Sequence, residues 1–484
     1  MDSKDNGATV YQQTKQPLTI VIKLGTSSIV SEKNLQPRLG LLANLVESCV
    51  QLRSNGHRVI LVSSGAIGMG MRRMSVLEGT NRSEDPNRWN KKPKALNEKQ
   101  ALAAIGQGHL IALWDSLFSR LNQPISQILL TRGDLADRSR YLNASSTLNT
   151  LLNFGVIPII NENDTLSVAE IRFGDNDTLS AVTAGMCNAN FLFLMTDVDC
   201  LYTENPRKNP GAQKVKKVYD IEQVRKIVST STLGSSLGTG GMETKLIAAE
   251  LATAAGVSTI ICNGMKPDRL ASILDDIQSN PQPCSSGSLG FIVEPSDEDS
   301  KINSEPTRPL YTHFLPQPSP LTNRKFWVAH GLIARGSVVI DRGAYRAISK
   351  DSIGGRLLPA GILRVIGNFA VGQAVRVLVR RSDLLEIRGT ISSPSMSDEP
   401  KQQSSSEDDR DCGSRGVIKN EGGTGFEDDG FEKSDDYVEV GRGLTNYNSS
   451  EMLKLIGLHS SKIEEVLGHI DSENVVESIV LKKK

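Results

Sequence analysis

Four segments concentrate the groups that phosphoryl transfer needs: donors for phosphate oxygens, cations for developing charge, and a hold on a nucleophile. Lys23-Leu-Gly-Thr-Ser-Ser28 follows an apolar run. Gly25 allows a tight turn whose N–H groups can face a phosphate, and Lys23 stands at a strand's carboxyl end, where open α/β sheets bind ligands. Taken alone, an ordinary strand-to-loop lysine is the simpler reading. Val62-Ser-Ser-Gly-Ala-Ile67 also follows a strand and opens a helix. Its hydroxyls and N–H groups suit a carboxylate or phosphate, but an N-cap by Ser63 or Ser64 explains it more simply.

Ile160-Asn-Glu-Asn-Asp-Thr165 and Gly174-Asp-Asn-Asp-Thr178 are two dense polar clusters, the first emerging from an apolar run. Their carboxylates can grip an ammonium, Asn176 can donate to a carboxylate, and Asp177 suits the N-cap of the next helix. The EF-hand calcium pattern is absent. Turn chemistry accounts for one such cluster but not readily for two beside one strand end. The fourth segment is Leu237-Gly-Thr-Gly-Gly-Met-Glu-Thr-Lys245, leading into a helix. Its glycines can line the phosphates of a nucleotide, with Lys245 one turn into the helix. The G-x-x-x-x-G-K-[ST] spacing is missing. A flexible loop is the alternative, and the functional reading stands ahead of it. Thr196-Asp197 also ends an apolar run and can touch a nucleotide, a weak signal by itself.

These segments need strands and helices to position them. Leu18–Gly25, His57–Gly65, Ile125–Leu130, Ile157–Ile160, Phe191–Met195 and Thr259–Cys262 read as buried strands. Helical spacing fits Leu39–Asn55, Lys99–Asn122, Leu142–Asn153, Thr178–Cys187 and Thr244–Ala255. Strands alternating with helices predict an α/β fold: an open, mainly parallel sheet with helices on both faces. This domain is placed at 18–277, after a disordered stretch 1–17. Residues 278–322 are rich in Pro, Ser and acids and read as a linker. Ser83–Lys94 reads as a surface loop. Beyond the linker, Ser337–Asp341, Ile362–Gly367 and Ala374–Arg380 predict a small β-barrel-like domain at 323–484. Tyr437–Leu444 resumes it as a strand, Ser449–Leu467 reads as a helix and Val475–Leu481 as a last strand. The stretch 392–436 lacks large apolar residues and reads as a disordered acidic insertion.

The chain has 484 residues, enough for two domains, and its 38% hydrophobic content is that of a soluble protein. Lys+Arg and Asp+Glu both number 55, so net charge points to no partner, and any anion site is local. The six cysteines form no C-x-x-C pair and the six histidines no H-E-x-x-H, so core thiols, a reducing compartment and no metal site are expected. The start of the chain has no apolar leader, and no apolar run approaches the roughly 20 residues of a membrane span. The expected location is cytoplasmic, with no membrane partner.

The order of the motifs carries more than any one of them. KLGTSS, SSGAIGMG, LLTRGDLADRSRYLNA, VIPIINENDT, FGDNDTLSA, LMTDVDCLYTENPR and GSSLGTGGMETK together resemble the glutamate 5-kinases of the amino-acid kinase family. The resemblance spans residues 18–277 and continues through Asn323-Arg-Lys-Phe-Trp327 into a region that looks like a PUA domain. It implies Mg²⁺-ATP as phosphoryl donor and the side-chain carboxylate of L-glutamate as acceptor. It implies that Lys23 binds ATP phosphates and stabilises the transition state, with Lys245 as a second cation and Asp177 as a third catalytic residue. Ser64, Asp164 and Asn176 would bind glutamate, Asp164 at the amino group and Asn176 at the carboxylate. Thr196, Asp197, Thr239, Gly240, Gly241, Met242, Glu243, Thr244 and Lys245 would line the ATP site.

The resemblance further implies feedback inhibition by proline, with Glu162–Glu170 serving substrate and inhibitor. It also implies homo-oligomerisation and handover of the reactive acyl phosphate to glutamyl phosphate reductase. A carboxylate is already a nucleophile, so the lack of a catalytic histidine or cysteine is no objection. The acidic insertion departs from the family pattern. Its charge would repel RNA, which counts against RNA binding by the PUA-like region, and its serines beside acids suit phosphorylation. Alternative readings are a kinase for aspartate, acetylglutamate, carbamate or UMP, an RNA-binding protein, and an inactive regulatory homologue. The intact lysines and Asp164 argue against the last.

Overall fold

Thr19–Leu24 is buried along its whole length, as a central strand covered on both faces must be. The computed structural model containing it describes residues 16–78, 93, 95–166, 176–206, 208–209, 211–228, 241–280, 290–294, 309–318, 320–332, 334–350, 355–384 and 436–481. The chain forms two units, Met1–Leu332 and Ile333–Lys484.

In the first unit the strands are β1 (Thr19–Leu24), β2 (Arg58–Ser63), β3 (Ile125–Leu130), β4 (Ile157–Glu162), β5 (Phe191–Thr196), β6 (Leu201–Tyr202), β7 (Lys214–Val218), β8 (Ser258–Asn263), β9 (Phe291–Glu294) and β10 (Tyr311–Phe314). Their order is β3-β4-β2-β1-β5-β8-β10-β7-β6, and β9 pairs antiparallel with β7 off this path. From β3 to β8 every neighbouring pair is parallel. The carboxyl ends of six strands therefore share one edge, and Lys23 sits level with Val62 of β2 and Leu194 of β5.

Strand alternation separates the two faces. Ile20, Ile22 and Leu24 pack with Leu61, Ile159 and Phe193 against Leu42, Leu45, Trp114 and Phe118 of helices Leu39–Ser54 and Leu96–Ser119. Lys23 belongs to the other face. Helix Asn176–Met186 packs there on β1 and on helix Met242–Ala254. Cys49, Cys187, Cys200 and Cys262 are buried thiols. Burial pushes the thiols of Cys49, Cys187 and Cys262 up to about 12, which marks them as core residues.

The stretch 278–322 is not simply a linker. It supplies β9 and β10, and β10 lies between β8 and β7 with Thr312 and Phe314 wholly buried. These strands are only four residues long amid Pro- and Ser-rich sequence, so composition hides them. The first unit also keeps Asn323–Leu332. Trp327 Nε1 donates to the Leu135 carbonyl at 2.9 Å, and Phe326 is buried against helix Asn176–Met186. The boundary falls after Leu332 rather than after residue 322.

The second unit holds β11 (Gly336–Ile340), β12 (Gly355–Leu357), β13 (Ile362–Gly367), β14 (Ala374–Arg380), β15 (Tyr437–Thr445) and β16 (Val476–Leu481), ordered β12-β16-β15-β14-β11-β13. Val338, Ile340, Val375, Val377, Tyr447 and Met452 form its core. The helix expected over Ser449–Leu467 is two, Ser449–Leu455 and Ile463–Leu467, separated by a turn at Gly457. Residues 1–15, most of Ser83–Lys94 and all of 392–436 except Asp436 lie outside the described residues. No described helix is long and apolar enough to cross a membrane.

Candidate active site

Two lysines from distant parts of the chain meet on one carboxylate. Lys23, at the end of β1, forms an ion pair with Asp177 Oδ1. Lys245 Nζ lies 3.2 Å from Asp177 Oδ2. The side chains of Lys23, Asp177 and Lys245 are 5%, 0% and 8% exposed, so all three charges are withheld from water. Thr244 Oγ1 donates to Asp177 Oδ2 at 2.9 Å and accepts from the Gly241 N–H at 3.0 Å, tying the start of helix Met242–Ala254 to the same carboxylate. Burial pushes the Asp177 carboxyl up, but the charges of Lys23 and Lys245 outweigh it and hold the group well below the usual carboxylate range. The first turn of helix Asn176–Met186, with its outward N–H groups, favours the same ionised form. Asp177 is thus no N-cap: it lies inside the first turn and turns its side chain to the lysines. Together the three groups carry two positive charges and one negative. Such a cluster at the edge of a parallel sheet suits a polyanion.

Beside it lies a network of neutral polar groups. Asn176 Nδ2 donates to Ser64 Oγ at 2.8 Å and to Asn161 Oδ1 at 3.0 Å. Asn161 Nδ2 donates to Gln107 Oε1 at 2.8 Å, and Asn161 Oδ1 also accepts from the Glu162 N–H at 2.9 Å. Neither serine caps the helix that follows, because Ala66–Glu78 begins after Gly65. Gly65 has φ +108°, a conformation other residues resist, and this turn aims Ser64 at Asn176. Ser63 instead accepts from Trp114 Nε1 at 3.0 Å, a buried bond that fixes the strand end. Gly106 rests against the Ala66 carbonyl with no room for a Cβ. That close approach brings Gln107, on helix Leu96–Ser119, beside Asn161.

The remaining expected residues separate into groups. Asp164 is half-buried in the turn after β4. Thr196 and Asp197 sit together at the end of β5, Thr196 Oγ1 donating to Asp197 Oδ1 at 3.2 Å. Gly241 and Met242 begin the helix carrying Lys245, whereas the exposed Glu243 turns toward Arg225 at 3.7 Å. Thr239 and Gly240 lie outside the described residues, as do Gly174 and Asp175. Asn161 stood in a recognised cluster but was not singled out. Gln107 and Trp114 gave no signal, being single polar or aromatic positions within a helical pattern. Asp199 was also missed. It accepts from Asn263 Nδ2 at 2.9 Å and Lys266 Nζ at 3.1 Å. Burial pushes its carboxyl up, but these partners outweigh that and hold it below its ordinary range.

A parallel sheet with paired buried lysines at its carboxyl edge is the setting of a phosphotransferase, and residues 18–263 match the model of the amino acid kinase family. The chain belongs to that family. Residues 336–385 match the PUA domain. A probable glutamate 5-kinase of Schizosaccharomyces pombe is 43% identical over 465 residues, covering 96% of this chain and 93% of its own. A glutamate 5-kinase of Synechococcus sp. (strain JA-3-3Ab) is 40% identical, covering 93% of this chain and 94% of its own. One of Nostoc sp. (strain PCC 7120) is 38% identical, covering 95% of each. A solved isopentenyl phosphate kinase substrate complex covers 57% of this chain and 99% of its own at 15% identity, with a TM-score of 0.38.

Proposed function

We propose that this protein is an ATP-dependent kinase acting on the side-chain carboxylate of free L-glutamate. Its products are L-glutamyl 5-phosphate and ADP. The observation that carries the reading is the pair of buried lysines, Lys23 and Lys245, held on Asp177 at the carboxyl edge of the sheet. Relatives named as glutamate 5-kinases, alike over nearly the whole chain, supply the substrate.

In this reaction a carboxylate oxygen forms a bond to the γ-phosphorus of ATP. The bond to the β,γ-bridging oxygen breaks, and ADP leaves with the electron pair. No proton has to be removed from the nucleophile, so the work is positioning and charge stabilisation. Lys23 and Lys245 supply positive charge to the moving phosphoryl group. Asp177 stays ionised and fixes both ammonium groups, a positioning role rather than that of a base. Ser64, Asp164 and Asn176 hold the amino-acid end of glutamate. Thr196, Asp197 and the segment Thr239–Lys245 hold the nucleotide.

Mg²⁺ arriving with the nucleotide would draw charge from the phosphate oxygens. The phosphate oxygens are hard ligands of the kind such an ion prefers. By the same reading the enzyme works in the cytoplasm as a homo-oligomer. It opens proline synthesis, is inhibited by proline, and hands its labile product to a reductase. The test is trapping of the acyl phosphate with hydroxylamine, for the unmodified protein and Lys245→Ala. Glutamate-dependent hydroxamate that falls by about 10²-fold or more in the variant is expected. Hydroxamate formed with aspartate but not glutamate would overturn the substrate assignment.

A further inference from the structure

The orientation of an amide is fixed by its neighbours, and a backbone N–H can only donate. The Glu162 N–H points at Asn161, so the Asn161 atom facing it is Oδ1. The other end of Asn161 is then Nδ2, and Gln107 meets it with Oε1. Asn161 Oδ1 also meets Asn176, which must present Nδ2. The second N–H of that amide goes to Ser64 Oγ. Both donors of Asn176 are thereby used. Its Oδ1 is buried and accepts no hydrogen bond among the described residues. A buried acceptor without a donor calls for an explanation, and a ligand N–H is the simplest one beside a substrate site.

We infer that Gln107 is a positioning residue which, through Asn161, holds Asn176 with Oδ1 as an acceptor for the α-ammonium of the substrate. This rests on the reading of the chain as a glutamate kinase. It reverses the expectation that Asn176 contacts the substrate carboxylate, because no N–H of Asn176 remains for that. It also gives the site a criterion for its substrate. A dicarboxylate without an amino group leaves the buried acceptor unanswered.

Gln107→Leu removes the acceptor that anchors Asn161, whereas Gln107→Glu keeps an oxygen in its place. The measurements are KM for glutamate, KM for ATP and kcat by the hydroxamate assay, with the inhibition constant of glutarate, the desamino analogue. Gln107→Leu is expected to raise KM for glutamate about tenfold. KM for ATP, kcat and the glutarate constant should stay within about twofold, and Gln107→Glu should return KM for glutamate close to its starting value. An unchanged KM for glutamate in Gln107→Leu overturns the inference. So does a glutarate constant that weakens in step, since that would be general damage to the site. If Gln107→Leu is too unstable to assay, Gln107→Met takes its place: a KM for glutamate raised about tenfold supports the role, and an unchanged one overturns it. No glutamate-dependent hydroxamate in the unmodified protein defeats the glutamate reading itself, and the inference with it.

Discussion

Asp177 and Lys245 lie 68 positions apart in the chain, yet Lys245 Nζ stands 3.2 Å from Asp177 Oδ2 in a site closed to water. Lys23 holds the other carboxylate oxygen, so one aspartate fixes the distance between two cations. Asp177→Asn keeps the shape and removes the charge. It leaves two ammonium groups buried beside a neutral amide, and breaking such a buried pair costs about 3–5 kcal/mol. Urea unfolding should show a loss of that order, and activity should fall by about 10²-fold or more. A variant that is fully stable and active would remove Asp177 from the centre of the site.

The same pair gives a pH signature. The folded-state pKa of Asp177 is lowered, so its contribution to stability is complete above the unfolded value, about 3.9. It is lost as pH falls below that value toward the folded one. Urea midpoints at pH 7, 4 and 3 should drop more steeply for the unmodified protein than for Asp177→Asn. Parallel slopes would show that Asp177 does not carry this linkage.

Gly185 shares a helix with Asp177 and touches the other end of the unit's chain. A Cβ at Gly185 would lie 2.5 Å from Phe326 Cε1, and Phe326 is only 1% exposed. Gly185→Ala should destabilise by about 1–3 kcal/mol, the usual penalty of overpacking. Phe326→Leu makes room, so the double variant should lose less than the sum of the singles. A double-mutant cycle in urea measures this. Strict additivity would mean that Phe326 does not press on the helix of the active site.

Much of this was legible because the strands of a parallel sheet are covered on both faces and appear as unbroken apolar runs. β1, β2, β3, β4, β5 and β8 were all read within one or two residues, and the polar segments at their carboxyl ends followed. Lys23 and Lys245, which the fold brings together on Asp177, could be singled out because each stands where a strand or glycine run meets a loop or helix. The contacts of Asp177 with both lysines were not legible in the residues alone, since an N-cap and a first-turn residue differ by a single position; only the resemblance set it beside Lys23 and Lys245. Gln107 was invisible for another reason. Its function depends on Gly106 fitting under a carbonyl and on the amide of Asn161, two relationships that exist only across the fold. β9 and β10 were missed because four residues carry too little pattern beside prolines and serines.

His313 gives the last prediction. It lies in β10, level with Lys217 of β7, with Nε2 at 3.1 Å from Ser258 Oγ of β8. Burial, with Lys217 adding to it, pulls the imidazole down from 6.5 to about 4. The neutral ring is the form the fold accepts. A depressed folded-state pKa means stability complete above 6.5 and lost as pH falls toward 4. The full shift corresponds to roughly 3 kcal/mol. Gln keeps a polar group of similar reach and cannot take a proton. His313→Gln should therefore flatten the fall in urea midpoint between pH 6.5 and 4 while leaving the unfolding free energy near pH 7.5 within about 1 kcal/mol of that of the unmodified protein. Equal slopes in the two proteins would mean that the ring reaches solvent and charges without opening the sheet.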